Sequence, residues 1–308
     1  MASPAMRRFP FQAMGSYCEI QFFDPSRIDA RKRLRVLIDE LARLETKYSR
    51  YREKSLVSAI NDTARTGTAV AIDEETRALL DHALTCHEQS DGLFDITSGV
   101  LRRVWDFNSA TVPGQEQIDE LLPLIGMGRL DWQGNRLCLP AGMEIDLGGI
   151  VKEYAADSVA NLARSIGINS GLVNLGGDFA VIGPQPDGQA WPIGIVHPTN
   201  REALMARLQL NAGGLASSGD YERFFEHEGK RYSHLLNAKT GWPCAGLRAV
   251  SVCAPQCTVA GSAATIAMLK PVDEAISWLG ELGLPHVYMD QNGLIGSPDF
   301  DSRDKATA

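Results

Sequence analysis

The order of strand-like and helical segments along the second half of the chain limits the folds open to it. Strand-like runs recur at 171–182, 191–196, 204–210, 231–236, 248–254 and 285–290, and helical spacing occurs at 115–124, 151–166, 258–269 and 272–283. Strict alternation of strand and helix would give a parallel doubly wound sheet. Runs of strands broken by a few helices instead predict an α+β fold, with mixed or antiparallel sheets packed on helices. The first half adds compatible elements. Between Gly15 and Phe23, Cys18, Ile20 and Phe22 alternate with Glu19 and Gln21, the two-residue period of a half-buried strand. Over 28–48, Leu34, Leu37, Ile38, Leu41, Leu44 and Tyr48 share one helical face. A second helix is expected over 74–90, with Asp73 as its cap and Glu74 and Glu75 at the positive end of its dipole. No repeat or low-complexity linker divides the chain, so residues 1–300 read as one domain and the polar residues 301–308 as a frayed tail.

Composition removes several classes of function. The 308 residues carry 30 basic and 38 acidic side chains, a net charge of −8, with no basic stripe of the kind that follows a phosphate backbone. A chain of this length buries a sizeable core without staples. The six cysteines are spread out with no C-x-x-C pair, which fits buried free thiols better than zinc ligands. Neither a secretory signal nor a membrane span is visible, so a cytoplasmic protein is expected, with neither membrane nor nucleic acid as partner. P-loop, dinucleotide-fingerprint, serine-hydrolase and HExxH signatures are all missing.

Three segments carry residues suited to chemistry. In 90–107, Asp95 lies between Phe94 and Ile96 and precedes Thr97, Ser98 and Gly99; it can accept a hydrogen bond from a ligand or cap a turn. In 144–160, Asp146 closes an expected strand, Gly148-Gly149 turn the chain, and Lys152 lies in the first turn of a helix. The free N–H groups of such a helix start suit a pyrophosphate, although the same junction also serves as a plain tight connection. The third segment runs from 171 to 243. There His234 reads as a proton acceptor or phosphate donor, or else as a satisfied core histidine, and Ser217-Ser218-Gly219-Asp220-Tyr221 as a ligand loop or an ordinary turn.

These segments, in this order, resemble the ApbE family of flavin transferases. The match runs through "AMGSYCEI" (13–20), "SRYREKSLVSAIN" (49–61), "DGLFDITSG" (91–99), "IDLGGIVKEYAAD" (145–157), "LVNLGGDFAVIG" (172–183), "SSGDYERFF" (217–225), "YSHLLNAKTGWP" (232–243) and "VAGSAATIAML" (259–269). The resemblance implies a single compact domain holding FAD in a central cleft. It implies transfer of FMN from FAD to a Thr or Ser hydroxyl of an acceptor flavoprotein, with release of AMP and with magnesium at the pyrophosphate. It places Met14, Tyr51, Phe94, Asp95, Asp146, Lys152 and Leu235 on the FAD site, Asn61 near the flavin, and His234 at the incoming hydroxyl.

Three positions depart from the family pattern. The family's metal is held by a carbonyl matching Gly149 and by an Asp and a Thr one helical turn apart; here Thr265 is present but the Asp position is Gly261. Ser262 is the neighbouring neutral candidate, and an Asp restored at 261 is expected to raise metal-dependent transfer. Glu153 stands where the family favours Gly, and Asn237-Ala238 where it favours Asp-Pro. The alternatives left open are an FAD-binding protein without transfer activity and an FAD pyrophosphatase.

Overall fold

The computed structural model describes residues 5–297, so the tail expected to fray at 301–308 lies outside the described residues. Its centre is an antiparallel sheet of eight strands: β1 (Ala5–Ala13), β2 (Ser16–Asp24), β5 (Gly171–Leu175), β6 (Asp178–Gly183), β9 (Gly214–Gly219), β12 (Ala249–Ala254), β13 (His286–Met289) and β14 (Ile295–Gly296), adjacent in that order. The remaining strands form three small pairs, namely β3 (Val70–Ala71) with β4 (Arg136–Leu137), β7 (Trp191–His197) with β8 (Asn200–Leu210), and β10 (Phe224–His227) with β11 (Lys230–Ser233).

The apolar runs in the middle strands follow from burial on both faces. Val173, Leu175, Ala180 and Ile182 belong to the main core. That core is built with the helices α1 (Arg27–Tyr48), α2 (Leu56–Thr66), α3 (Glu74–Gln89), α5 (Val151–Ser165), α6 (Cys257–Leu269) and α7 (Val272–Leu282). Leu172, Val181 and Leu215 face the other way and pack under the β7–β8 hairpin with Trp191, Ile193 and Leu208. A third cluster joins Trp105, Phe225 and Tyr232 to Ile118 of the short helix α4 (Gln115–Asp119). The sheet, helices and clusters make one α+β domain, as expected. Among the described residues no helix is long and apolar enough to cross a membrane.

Local chemistry sets the element ends. Ser26, Ser55 and Asp73 cap α1, α2 and α3 by accepting from Asp29, Ser58 and Thr76 N–H groups. The single run expected at 171–182 is a hairpin, folded at Gly176-Gly177 with φ of 65° and 96°, a turn that glycine makes without strain. The helix expected over 115–124 ends at Asp119, and Leu122–Leu124, which contains Pro123, is a separate 3-10 turn. Asp146 does not close a strand; the segment from Gly142 to Leu147 is irregular, with both amide atoms of Asn61 bonded to Ile145 at 2.7 and 3.1 Å. Of the segment 217–221, Ser217-Ser218-Gly219 is strand, the end of β9 beside β12, and Asp220-Tyr221 is the turn that follows it.

Candidate active site

A cleft of about 790 Å³ opens over the sheet between the starts of α5 and of the 3-10 helix Ile96–Arg103 and the segment after β11. That volume suits a nucleotide-sized ligand. Of the residues singled out in the sequence, Met14, Tyr51, Phe94, Asp95, Asp146, Gly149, Lys152, His234, Leu235 and Thr265 all line it. Asn61 does not. Its amide is spent on the Ile145 backbone, so it shapes the wall leading to Asp146 from behind.

Each side chain is held by a local device. Met14 occupies the two-residue turn between β1 and β2 with φ of 50°, followed by Gly15 at 70°, the left-handed pair that a tight hairpin turn requires. Asp95 is buried and fully engaged. It accepts from the Thr97 N–H at 2.8 Å and hydroxyl at 2.5 Å, and from the Met127 N–H at 2.9 Å. Of the two readings of Asp95, the cap is therefore the one its bonds describe. His87 supports the same loop by donating Nδ1–H to the Phe94 carbonyl.

Asp146 accepts from the Gly148 N–H at 2.9 Å and pairs with Arg102 at 3.1 Å and Arg50 at 3.3 Å. Arg50 reaches further, to Glu144 at 3.0 Å. The two arginines, with Arg223, are cleft cations not expected from the sequence, although all three lie inside the segments 49–61, 90–107 and 217–225. Tyr51 is 73% exposed at the mouth, where its hydroxyl accepts from Arg102 at 3.4 Å.

Lys152 is paired with the buried Asp178 at 2.8 Å, so its charge is anchored at the base of the cleft. Helix α5 begins with no side-chain cap on Ile150, which leaves the positive end of its dipole open beside Gly148 and Gly149. His234 follows the end of β11 and is half-buried. Its Nδ1 lies 3.2 Å from the Arg223 carbonyl oxygen, which can only accept; Nδ1 therefore carries the proton, and Nε2 is left as a free acceptor. Burial first, then the nearby Arg102, Arg223 and Lys152, lowers its pKa to about 4, so the ring is neutral at pH 7.

The α5–α6 contact differs from expectation. Ser262 is turned away, hydrogen-bonded to His82 at 2.8 Å, and takes no part in the cleft. Glu153, which stands where the family favours Gly, is buried against Gly261. An ideal Cβ at 261 would lie 2.5 Å from Glu153 Cγ, so an Asp placed there with Glu153 unchanged must displace the glutamate side chain. Burial, followed by the Asp178 charge, pushes the Glu153 carboxyl up to about 7. Among the described residues no three His, Cys, Asp or Glu side chains cluster as a metal site. The wall nonetheless carries the Thr265 hydroxyl, the Gly149 backbone and a buried Glu153 Oε2 with no hydrogen-bond partner. All are oxygen donors. Such a set fits a hard divalent cation that keeps its waters and takes further ligands from a substrate.

Fold and cleft thus define an α+β protein with a nucleotide-sized cleft at an uncapped helix start. The sequence profile of the ApbE family matches residues 14–288, and the chain belongs to that family. It is 28% identical over 280 residues to the FAD:protein FMN transferase of Haemophilus influenzae, covering 86% of this chain and 81% of that one. With the enzyme of the same name from Escherichia coli K12 it shares 31% identity over 252 residues, 78% of this chain and 71% of that one. The crystal structure of the ApbE protein of Thermotoga maritima superposes with a TM-score of 0.88 at 30% identity, covering 96% of this chain and 97% of the other.

Proposed function

We propose that this chain is an FAD:protein FMN transferase, taking FAD as substrate and moving FMN to a Thr or Ser hydroxyl of an acceptor flavoprotein. The observation that carries the reading is His234, whose Nδ1–H is tied to the Arg223 carbonyl and whose Nε2 is unprotonated in a cleft lined also by the open start of α5. In the reaction the acceptor hydroxyl oxygen forms a bond to the FMN phosphorus as the bond from that phosphorus to the bridging oxygen breaks. AMP leaves with the electron pair, and the hydroxyl proton passes to Nε2 of His234. The uncapped N–H groups of α5 face the phosphates, and Arg102, Arg50 and Lys152 offset their charge. Phe94, Met14 and Leu235 supply apolar wall. Thr265 and the Gly149 carbonyl would hold the magnesium ion, which when bound neutralises charge on the pyrophosphate.

The test is to incubate the protein with FAD, magnesium and a Thr-bearing flavoprotein domain, and to look for flavin fluorescence on the denatured acceptor. His234→Ala is expected to lower the rate by about 10²–10⁴-fold while FAD still binds. Bound FAD with no covalent flavin would leave a binding protein, and FMN released only to water would leave a pyrophosphatase.

A further inference from the structure

Resting on the reading of the cleft as a flavin-nucleotide site, we propose that Glu153 supplies from α5 the carboxylate that Gly261 cannot supply from α6, and that it holds the divalent cation together with Thr265 and the Gly149 carbonyl. The two positions share one space. An ideal Cβ at Gly261 would meet Glu153 Cγ at 2.5 Å, Cδ at 3.0 Å and Oε1 at 3.1 Å, so the glutamate chain occupies the volume that a side chain at 261 would fill. The carboxylate has changed helices without leaving the site.

Its surroundings leave it waiting for a cation. Glu153 is only 7% exposed, lines the cleft, and its Oε2 is buried without a hydrogen-bond partner. A buried carboxylate oxygen left in that state is costly unless something satisfies it. The neighbouring Lys152 is paired with Asp178 at 2.8 Å, and no Lys, Arg or His forms an ion pair with Glu153 among the described residues.

The helix register is fixed by a separate device. Asp157, one turn beyond Glu153, accepts from the Cys257 N–H at 2.9 Å, the Thr258 N–H at 2.8 Å and the Thr258 hydroxyl at 2.7 Å. This clamp sets α5 against the start of α6. Positions 257, 261 and 265 then follow at four-residue spacing on one face of α6, which sets Glu153 over Gly261 one turn from Thr265. One carboxylate, one hydroxyl and one carbonyl leave the other coordination positions to water and pyrophosphate oxygens, which is how magnesium is usually held.

The experiment titrates the full-length protein with Mn²⁺ and reads the free-ion signal by electron paramagnetic resonance, with transfer measured separately. The wild type takes up one Mn²⁺. Glu153→Gln weakens that uptake by about tenfold or more, Gly261→Asp alone does not strengthen it, and Glu153→Gly with Gly261→Asp restores it by returning the carboxylate to α6. Glu153→Gln removes a buried charge without changing shape, so its fold, checked by circular dichroism, is retained. Uptake by Glu153→Gln within about twofold of wild type, or none by wild type, overturns the assignment. Mn²⁺ held through Glu153 with no FMN transfer would uphold it and overturn the transferase reading instead.

Discussion

Replacing Gly261 by alanine sets two effects of opposite sign against each other. In a helix interior alanine is favoured over glycine by about 1 kcal/mol. Here the new Cβ would lie 2.5 Å from Glu153 Cγ and 3.0 Å from Cδ, inside ordinary contact distance, and Glu153 is too buried to swing clear. Overpacking at such a site costs about 1–3 kcal/mol, so the net change is a loss of roughly 1 kcal/mol. For a chain of this size that is a Tm drop of roughly 2–4 °C. Truncating the obstacle reverses the sign. In a Glu153→Ala background, Gly261→Ala should stabilise by about 1 kcal/mol, and the four-protein cycle should show a coupling of about 2 kcal/mol in urea denaturation. A Gly261→Ala protein more stable than wild type, or changes that add to within about 0.5 kcal/mol, would refute the packing argument.

Three further outcomes follow from the site's geometry. Asp95→Ala removes the acceptor of the Thr97 and Met127 N–H groups and should lower stability by about 2–4 kcal/mol; a variant that lost only flavin affinity would contradict the capping role. Asp157→Ala strips the cap from α6 and should cost about 1–2 kcal/mol, with faster amide exchange in its first turn as the local signature. Burial holds the folded pKa of His234 at about 4, below the 6.5 of an ordinary histidine, so between those values the unfolded chain binds more protons. Its contribution to stability is therefore whole above pH 6.5 and declines as pH falls toward 4, and denaturation curves of His234→Gln should lack that component of acid sensitivity.

Much of the fold was legible because the signals were local. The two-residue period of Cys18, Ile20 and Phe22 and the helical face of Leu37, Leu41 and Leu44 appear where expected, buried as expected. Among the elements passed over, β1 and β9 have weak local patterns: β1 buries no residue fully, and β9 is the small-residue run Gly214–Gly219; α2 by contrast has a clear apolar face and a Ser55 cap. β9 is a strand because β6 and β12 flank it, a tertiary cause that composition does not carry.

At the site, residue types and the family resemblance together were enough to nominate Met14, Tyr51, Phe94, Asp95, Asp146, Lys152, His234 and Leu235 on the cleft wall, but not its arginines. What each one does was decided by contacts between distant segments. Asp95 spends its oxygens on Thr97 and Met127, Asn61 on Ile145, and Ser262 on His82. The clearest case is the pair at 153 and 261. Read along the chain, a missing carboxylate and a surplus one are two unrelated defects 108 positions apart (261 − 153). Only the packing of α5 on α6 brings them into a single volume, because side-chain contact depends on distance in space and is blind to separation in sequence.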